Sequence, residues 1–367
     1  MVIYILEPYL NDSHAHWLKG LEKHLEAEVR SFTLPAKHWK WRMHASAITF
    51  SELLKYEPEP DHILLSDMSS AALLKSLLPP TWKSYKLSVY FHENQITYPW
   101  HERDQDVVKE RNNHYGFINY TSALVADHVF FNSKYHLNVF TEALPEFLDQ
   151  FPDHKNKSSI SQITEKCSVA PIGIEASTNY NPEKWTDTIP TILWNHRWEY
   201  DKNPEDFFKT LLEMKEKGLE FKLIVLGRHG KVYPDIFKEA KEKLTDFISH
   251  WEYANSRLDY EALMAQAHLL PVTSNQDFFG VSALEAISSG VYPLLPLRLA
   301  FPEHLNETIP YYKSNLDLSE LLEEFLRNWK RYSPILKTKS QEYAQEISTK
   351  YQWKEICAIL MEELNSI

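Results

Sequence analysis

Short apolar runs alternate with amphipathic stretches from the first residues of the chain. Residues 2–6 read as a buried strand. Residues 16–26 read as a helix with Trp17, Leu18, Leu21 and Leu25 on one face. Further strands are expected at 29–34, 62–66, 87–92 and 128–132, each followed by a helical pattern, in some cases after a loop, and at 168–172. Residues 145–166, which hold prolines and a serine-rich stretch, are expected to form a loop. A polar segment with two prolines, 178–190, marks a domain junction. The alternation then restarts with strands at 191–194, 222–226, 248–253, 269–273 and 291–295. The tail, 333–365, reads as helix with Tyr343, Ile347, Tyr351, Ile356, Ile359 and Leu360 inward. Repeated βα alternation implies parallel sheets covered by helices on both faces. The fold class expected is α/β, in two doubly wound domains spanning 1–176 and 186–345.

Composition agrees with two packed cores. The chain has 367 residues, 43% of them hydrophobic, with 20 Tyr, 18 Phe and 11 Trp, which excludes a disordered protein. Only 8 glycines occur, so any phosphate loop must work with few of them. The two cysteines make no metal-ligand pair and fit a reducing compartment. Residues 2–6 are too short for a signal-peptide core and meet Glu7 at once. No apolar run approaches the ~20 residues of a membrane span. A cytoplasmic protein without membrane attachment is expected. A net charge of −12 argues against non-specific coating of nucleic acid but leaves room for a local basic site.

The most informative stretch is 277–290, from Asp277 through Phe279, Gly280, Val281, Ser282 and Glu285 to Gly290. It follows a strand and starts a helix at a glycine, where bare N–H groups and the helix dipole can receive a phosphate. Glu285, one turn in, lies within reach of ribose hydroxyls beside that phosphate. The bland alternative is a capping box between Ser282 and Glu285. Arg197 and Lys202 follow the first strand of the second domain. They are either two solvated charges or a basic pair for a departing diphosphate, on which negative charge grows as the sugar leaves. His92 ends a strand of the first domain, either as a core histidine or facing a cleft, with Glu93 and Asn94 next to it. Asp104 and Asp106 precede a helix and read as dipole-matched acids rather than metal ligands. His14 and His16 are poorly spaced to share one metal.

Residues 37–42 interleave cations with large aromatics: Lys37, Trp39, Lys40, Trp41 and Arg42. On a long loop such a run suits an exposed RNA strand, stacking bases and pairing phosphates. The alternative buries Trp39 and Trp41 and leaves the cations wet. If the run meets RNA, removing charge at Lys40 and Arg42 weakens RNA binding and spares binding at the phosphate site.

The carboxylate at 277, the glutamate at 285 and the Phe279-Gly280 pair between them resemble the signature of retaining GT-B glycosyltransferases, with Asp277 where that family usually has Glu. The runs Glu7-Pro8-Tyr9, Ser13-His14, Leu34 to Met43 (Pro-Ala-Lys-His-Trp-Lys-Trp-Arg within it) and Phe91 to Pro99 (His-Glu-Asn-Gln-Ile-Thr-Tyr-Pro within it) resemble the tRNA-queuosine mannosyltransferase family. That resemblance implies two Rossmann-like domains facing an interdomain cleft, with a final helix at about 346–367 returning to the first domain. It implies mannose transfer from GDP-mannose to queuosine in the anticodon of aspartate tRNA, with retention and with no metal or other cofactor. Arg197, Lys202, His92 and Asp277 are then the catalytic set. Phe279, Gly280, Val281, Ser282, Glu285, Asn11, Ser13 and His14 bind donor. Lys37, Trp39, Lys40, Trp41, Arg42, Glu93 and Asn94 face the acceptor. One departure is Asn11-Asp12 where relatives have two glycines; a left-handed turn at Asn11 or a cap by Asp12 would preserve the loop. The competing functions are a GT-B enzyme with a non-tRNA acceptor, a tRNA-binding protein with a degenerate donor site, and a sugar-nucleotide epimerase, which gives the basic-aromatic run no purpose.

Overall fold

In the computed structural model, residues 1–101, 104–175, 181–186, 188–306 and 311–367 are described; the expected junction at 178–190 lies partly outside them. The chain divides into two compact units, Met1–Gly173 with Trp353–Ile367, and Ile174–Gln352.

The first unit is a six-stranded parallel sheet. Its strands are β1 (Val2–Leu10), β2 (Glu28–Pro35), β3 (His62–Ser66), β4 (Lys86–Phe91), β5 (His128–Phe131) and β6 (Cys167–Val169). They lie in the order β2-β1-β3-β4-β5-β6. Its helices are α1 (Asp12–His24), α2 (Trp39–Leu54), α3 (Ala71–Leu77), α4 (Gln105–Val108), α5 (Asn113–Val125), α6 (Lys134–Asp149) and α7 (Ser159–Thr164). The central strands are buried along their length, for example Ile3 to Leu6 and Ile63 to Leu65. That is what a parallel sheet covered on both faces demands.

The second unit holds β7 (Thr191–Trp194), β8 (Lys222–Val225), β9 (Ile248–Trp251), β10 (Leu269–Pro271) and β11 (Tyr292–Leu294). Their order is β11-β10-β7-β8-β9. Around them lie α8 (Pro204–Glu216), α9 (Ile236–Lys243), α10 (Arg257–Met264), α11 (Val281–Ser288), α12 (Asn315–Arg327) and α13 (Trp329–Lys350). Strand order reverses between β7 and β10 here, and between β1 and β3 in the first unit. Doubly wound sheets bind ligands beyond the carboxyl ends of strands at such reversals. The loops after β7 and β10 therefore meet, as do those after β1 and β3.

Three expectations need correction. The loop expected at 145–166 is confined to 150–158: α6 runs through Pro145 to Asp149, and α7 follows at Ser159. Phe140, Leu144, Phe147 and Leu148 are buried along one face of α6, and that burial outweighs the N–H lost at one proline. Residues 37–42 do not sit on a long loop, since α2 starts at Trp39 behind His38 in a left-handed conformation. The tail is two helices, broken at 351–352 before α14 (Trp353–Ser366). Ile359 is exposed while Trp353, Cys357 and Leu364 are buried.

Trp353 opens α14 and packs onto two glycines of the first unit. A Cβ on Gly20 would lie 2.1 Å from its indole, and one on Gly173 2.3 Å. Any larger residue at either position fills the space the ring occupies.

Candidate active site

In the second unit the loops after β7 and β10 form a chain of alternating charges. Lys202 Nζ lies 2.9 Å from Asp277 Oδ1 and 3.2 Å from Asp201 Oδ2, and donates to the Gln276 carbonyl at 2.7 Å. Arg197 lies 3.9 Å from that same Asp201 oxygen and 3.0 Å from Glu199. Burial pushes the Asp277 carboxyl up, but Lys202 overrides it and holds the group below its ordinary value. Burial likewise pulls Lys202 down, and Asp277 with Asp201 lifts it above its usual range. Three protein oxygens thus lie within 3.2 Å of Lys202 Nζ, and a phosphate oxygen must compete with them. Arg197 is half exposed.

Helix α11 begins at Gly280, whose φ is +84° and which supplies no side-chain cap. That backbone suits glycine, and a Cβ there would meet Phe301 at 2.9 Å. The capping box does not form. Ser282 Oγ pairs instead with His196 Nδ1 at 2.9 Å, and Glu285 is taken up by Arg257 Nη1 at 2.7 Å and the Tyr260 hydroxyl at 3.2 Å. Asn195 bonds both Tyr260 and the Ser282 carbonyl. Phe279 is buried, and its carbonyl accepts from His304 at 2.6 Å. Val281 is half-buried at the first position of the helix. The structure therefore brings Arg197, Lys202, Asp277, Gly280 and Ser282 to one end of the sheet.

Asn195, His196, Arg257 and Tyr260 were absent from the sequence-based set. Asn195 and His196 adjoin Arg197, which was the available signal. No spacing connects Arg257 or Tyr260 to Glu285.

In the first unit, Glu7, His14 and His92 come together in the interior. Glu7 Oε2 lies 3.1 Å from His14 Nδ1 and 3.9 Å from His92 Nε2, and Glu7 Oε1 accepts from the Tyr9 amide. The two imidazoles stack, centroids 4.0 Å apart and 25° between planes. Glu7, His14 and His92 each bring one ligand atom to within 4.8 Å of the other two, a spacing compatible with a metal ion. Glu7 Oε2, His14 Nδ1 and His92 Nε2 have no hydrogen-bond partner among the described residues, and the near-parallel rings send their in-plane lone pairs past each other. Burial lowers the His14 pKa, but the Glu7 carboxylate more than reverses this and leaves it raised. Burial, then His14 and His136, drives His92 well below its ordinary value.

At the first turn of α1, Asn11 itself is the cap. Its Oδ1 accepts from the His14 amide and the Ser13 hydroxyl, and its φ of −91° is not left-handed. Asp12 sits in the first turn, where its charge suits the dipole. The loop thus needs no glycine-like backbone at Asn11. Glu93 accepts from Gln95. Asn94 is buried and spends its side chain on Ile96 and Thr97, so it is a turn residue, not an exposed acceptor contact.

The basic-aromatic run is divided. Lys40 lies 2.6 Å from both Asp104 and Asp106, among the rings of Trp39, Trp100 and Tyr115. Its charge is committed, which corrects the expectation that Lys40 stands ready for a phosphate. Asp104 also caps α4. Trp39 packs on Trp100 and Tyr115. Arg42 bonds the Pro35 carbonyl. Lys37 is exposed, and Trp41 is 63% exposed.

Two parallel-sheet units of this kind make up the GT-B fold. Solved structures of that fold match along the whole chain. HepE from Anabaena in complex with UDP matches with a TM-score of 0.68 at 13% identity, covering 100% of both chains. A sucrose-phosphate synthase from Thermosynechococcus elongatus gives 0.71 at 12% identity, covering 100% of this chain and 98% of that one. The family model for tRNA-queuosine alpha-mannosyltransferase N-terminal matches residues 2–174. The tRNA-queuosine alpha-mannosyltransferase of Drosophila melanogaster is 32% identical over 359 residues, 94% of this chain and 91% of that protein. The chain belongs to the tRNA-queuosine alpha-mannosyltransferase family and is a nucleotide-sugar-dependent glycosyltransferase.

Proposed function

We propose that this enzyme transfers mannose from GDP-mannose to queuosine in the anticodon of aspartate tRNA, with retention of configuration and without a metal. The observation that carries this reading is the identity with the Drosophila enzyme along nearly the full length of both chains. In this account the second unit holds the donor. Arg197 meets the diphosphate directly. Lys202 exchanges the neutral Gln276 carbonyl for a phosphate oxygen while keeping Asp277, and α11 adds its amide end. Asp277, fixed as a carboxylate by Lys202, accepts a sugar hydroxyl. His92 stays neutral and offers a hydrogen bond to the sugar. Trp41 and Lys37 supply stacking and charge for RNA. No helix among the described residues is long and apolar enough to cross a membrane, and both cysteines are free thiols, which supports action in the cytoplasm.

The test incubates the purified protein with labelled GDP-mannose, GDP-glucose, UDP-glucose or UDP-galactose. Each is paired with tRNA from cells that make queuosine and from cells that lack it. Label from GDP-mannose entering only queuosine-containing aspartate tRNA is expected. Transfer to queuosine-free tRNA, or from a uridine donor alone, would overturn the assignment.

A further inference from the structure

His196 is buried, with only one of its ring nitrogens engaged. Nδ1 meets Ser282 Oγ at 2.9 Å, and Nε2 has no hydrogen-bond partner. Burial drops its pKa to about 4, so the ring is neutral at physiological pH and carries one proton. An orphaned buried N–H is rarer in folded proteins than an orphaned acceptor. The proton therefore belongs on Nδ1, leaving the bare lone pair at Nε2. The backbone leaves the residue little freedom. Trp194 Nε1 donates to the His196 carbonyl at 2.9 Å, and a Cβ on Gly227 would come within 1.9 Å of that oxygen.

We propose that His196 is a positioning residue for the donor: by giving its Nδ1–H to Ser282 Oγ, it frees the serine's own hydroxyl proton to point at the diphosphate. The inference rests on the donor-site reading above. Ser282 is the second residue of α11, beside an uncapped Gly280. A serine whose oxygen already accepts from a fixed donor presents its O–H outward. With the other tautomer the serine would spend its proton on the ring and turn lone pairs towards an anion. The arrangement adds one oriented O–H donor to an anion site at a helix start.

The test measures affinity by calorimetry for GDP, UDP and ADP, using whichever binds the wild-type protein. The variants are Ser282→Ala, His196→Asn, His196→Gln, His196→Leu, and Ser282→Ala combined with His196→Leu. Asn places an amide N–H where Nδ1 was; Gln and Leu do not. Ser282→Ala, His196→Gln and His196→Leu are each expected to weaken binding about tenfold. His196→Asn should stay within about twofold, and the double variant should lose no more than Ser282→Ala alone. Melting curves identify variants that fail to fold; should His196→Leu be one, His196→Gln takes its place in the cycle. Additive losses in the double variant, or equal loss in His196→Asn and His196→Gln, would overturn the role of His196 and leave the donor site standing. Wild-type affinity in Ser282→Ala would show that phosphate does not meet this hydroxyl. Binding of none of the three nucleotides removes the donor-site reading and the inference with it.

Discussion

Partnerships between single side chains decide the electrostatics in each unit. The Glu7–His14 contact is one such case, because the carboxylate holds the imidazole proton against the cost of burial. A histidine raised above its unfolded value stabilises the fold fully below that value, about 6.5. The contribution is lost as pH rises through the folded pKa. Glu7→Gln keeps an acceptor for the Tyr9 amide but removes the charge. The variant should be less stable than the parent by about 1.5–3 kcal/mol near pH 6, with the gap closing towards pH 9. Melting temperatures across that range provide the check, and a gap independent of pH would exclude a protonated His14. Lys202 and Asp277 show why such partnerships escape the sequence. Each residue carried a motif, yet no spacing reveals a bond across 75 positions that uses up the lysine's reach. His196 is the opposite case, adjacent to a motif and still overlooked.

Among the elements, strands and their order of burial were largely legible, since parallel strands read as unbroken apolar runs. The start of α11 at Gly280 was legible too. The start of α2 was not, because cations and aromatics at its first turn carry no helix signal of their own and His38 opens it with a positive φ of 54°. That helix now separates two roles. Lys40 ties α2 to Asp104 and Asp106, whereas Trp41 faces solvent. Lys40→Met should lower the melting temperature by a few degrees, the cost of two carboxylates left without their cation. Trp41→Ala should leave melting unchanged and weaken tRNA binding by roughly 1–3 kcal/mol, the value of one stacked base. Filter binding and differential scanning fluorimetry on both variants separate the cases. Unchanged RNA affinity in Trp41→Ala would remove this face from the acceptor surface.

For the molecule as a whole, both units bury histidines in the neutral form. His62 in the first unit, and His196 and His304 in the second, are lowered by burial to about 4. A depressed histidine stabilises above its unfolded value and loses that contribution as pH falls from about 6.5 to the folded pKa. Each costs about 1.4 kcal/mol per pH unit in that window, against a total stability of roughly 5–15 kcal/mol per domain. Unfolding transitions of both units should therefore move steeply downward between pH 6.5 and 4 in calorimetric scans. Transitions that stay level to pH 5 would mean these rings are solvated.

Trp353 carries a consequence for biogenesis. The residues that complete the first unit are made only after the entire second unit has been synthesised. Until then Gly20 and Gly173 flank an empty slot the width of an indole. The amino-terminal half of the polypeptide must wait, partly assembled, through the synthesis of about half of the chain. A nascent chain stalled before the final helix would be a natural client for chaperones.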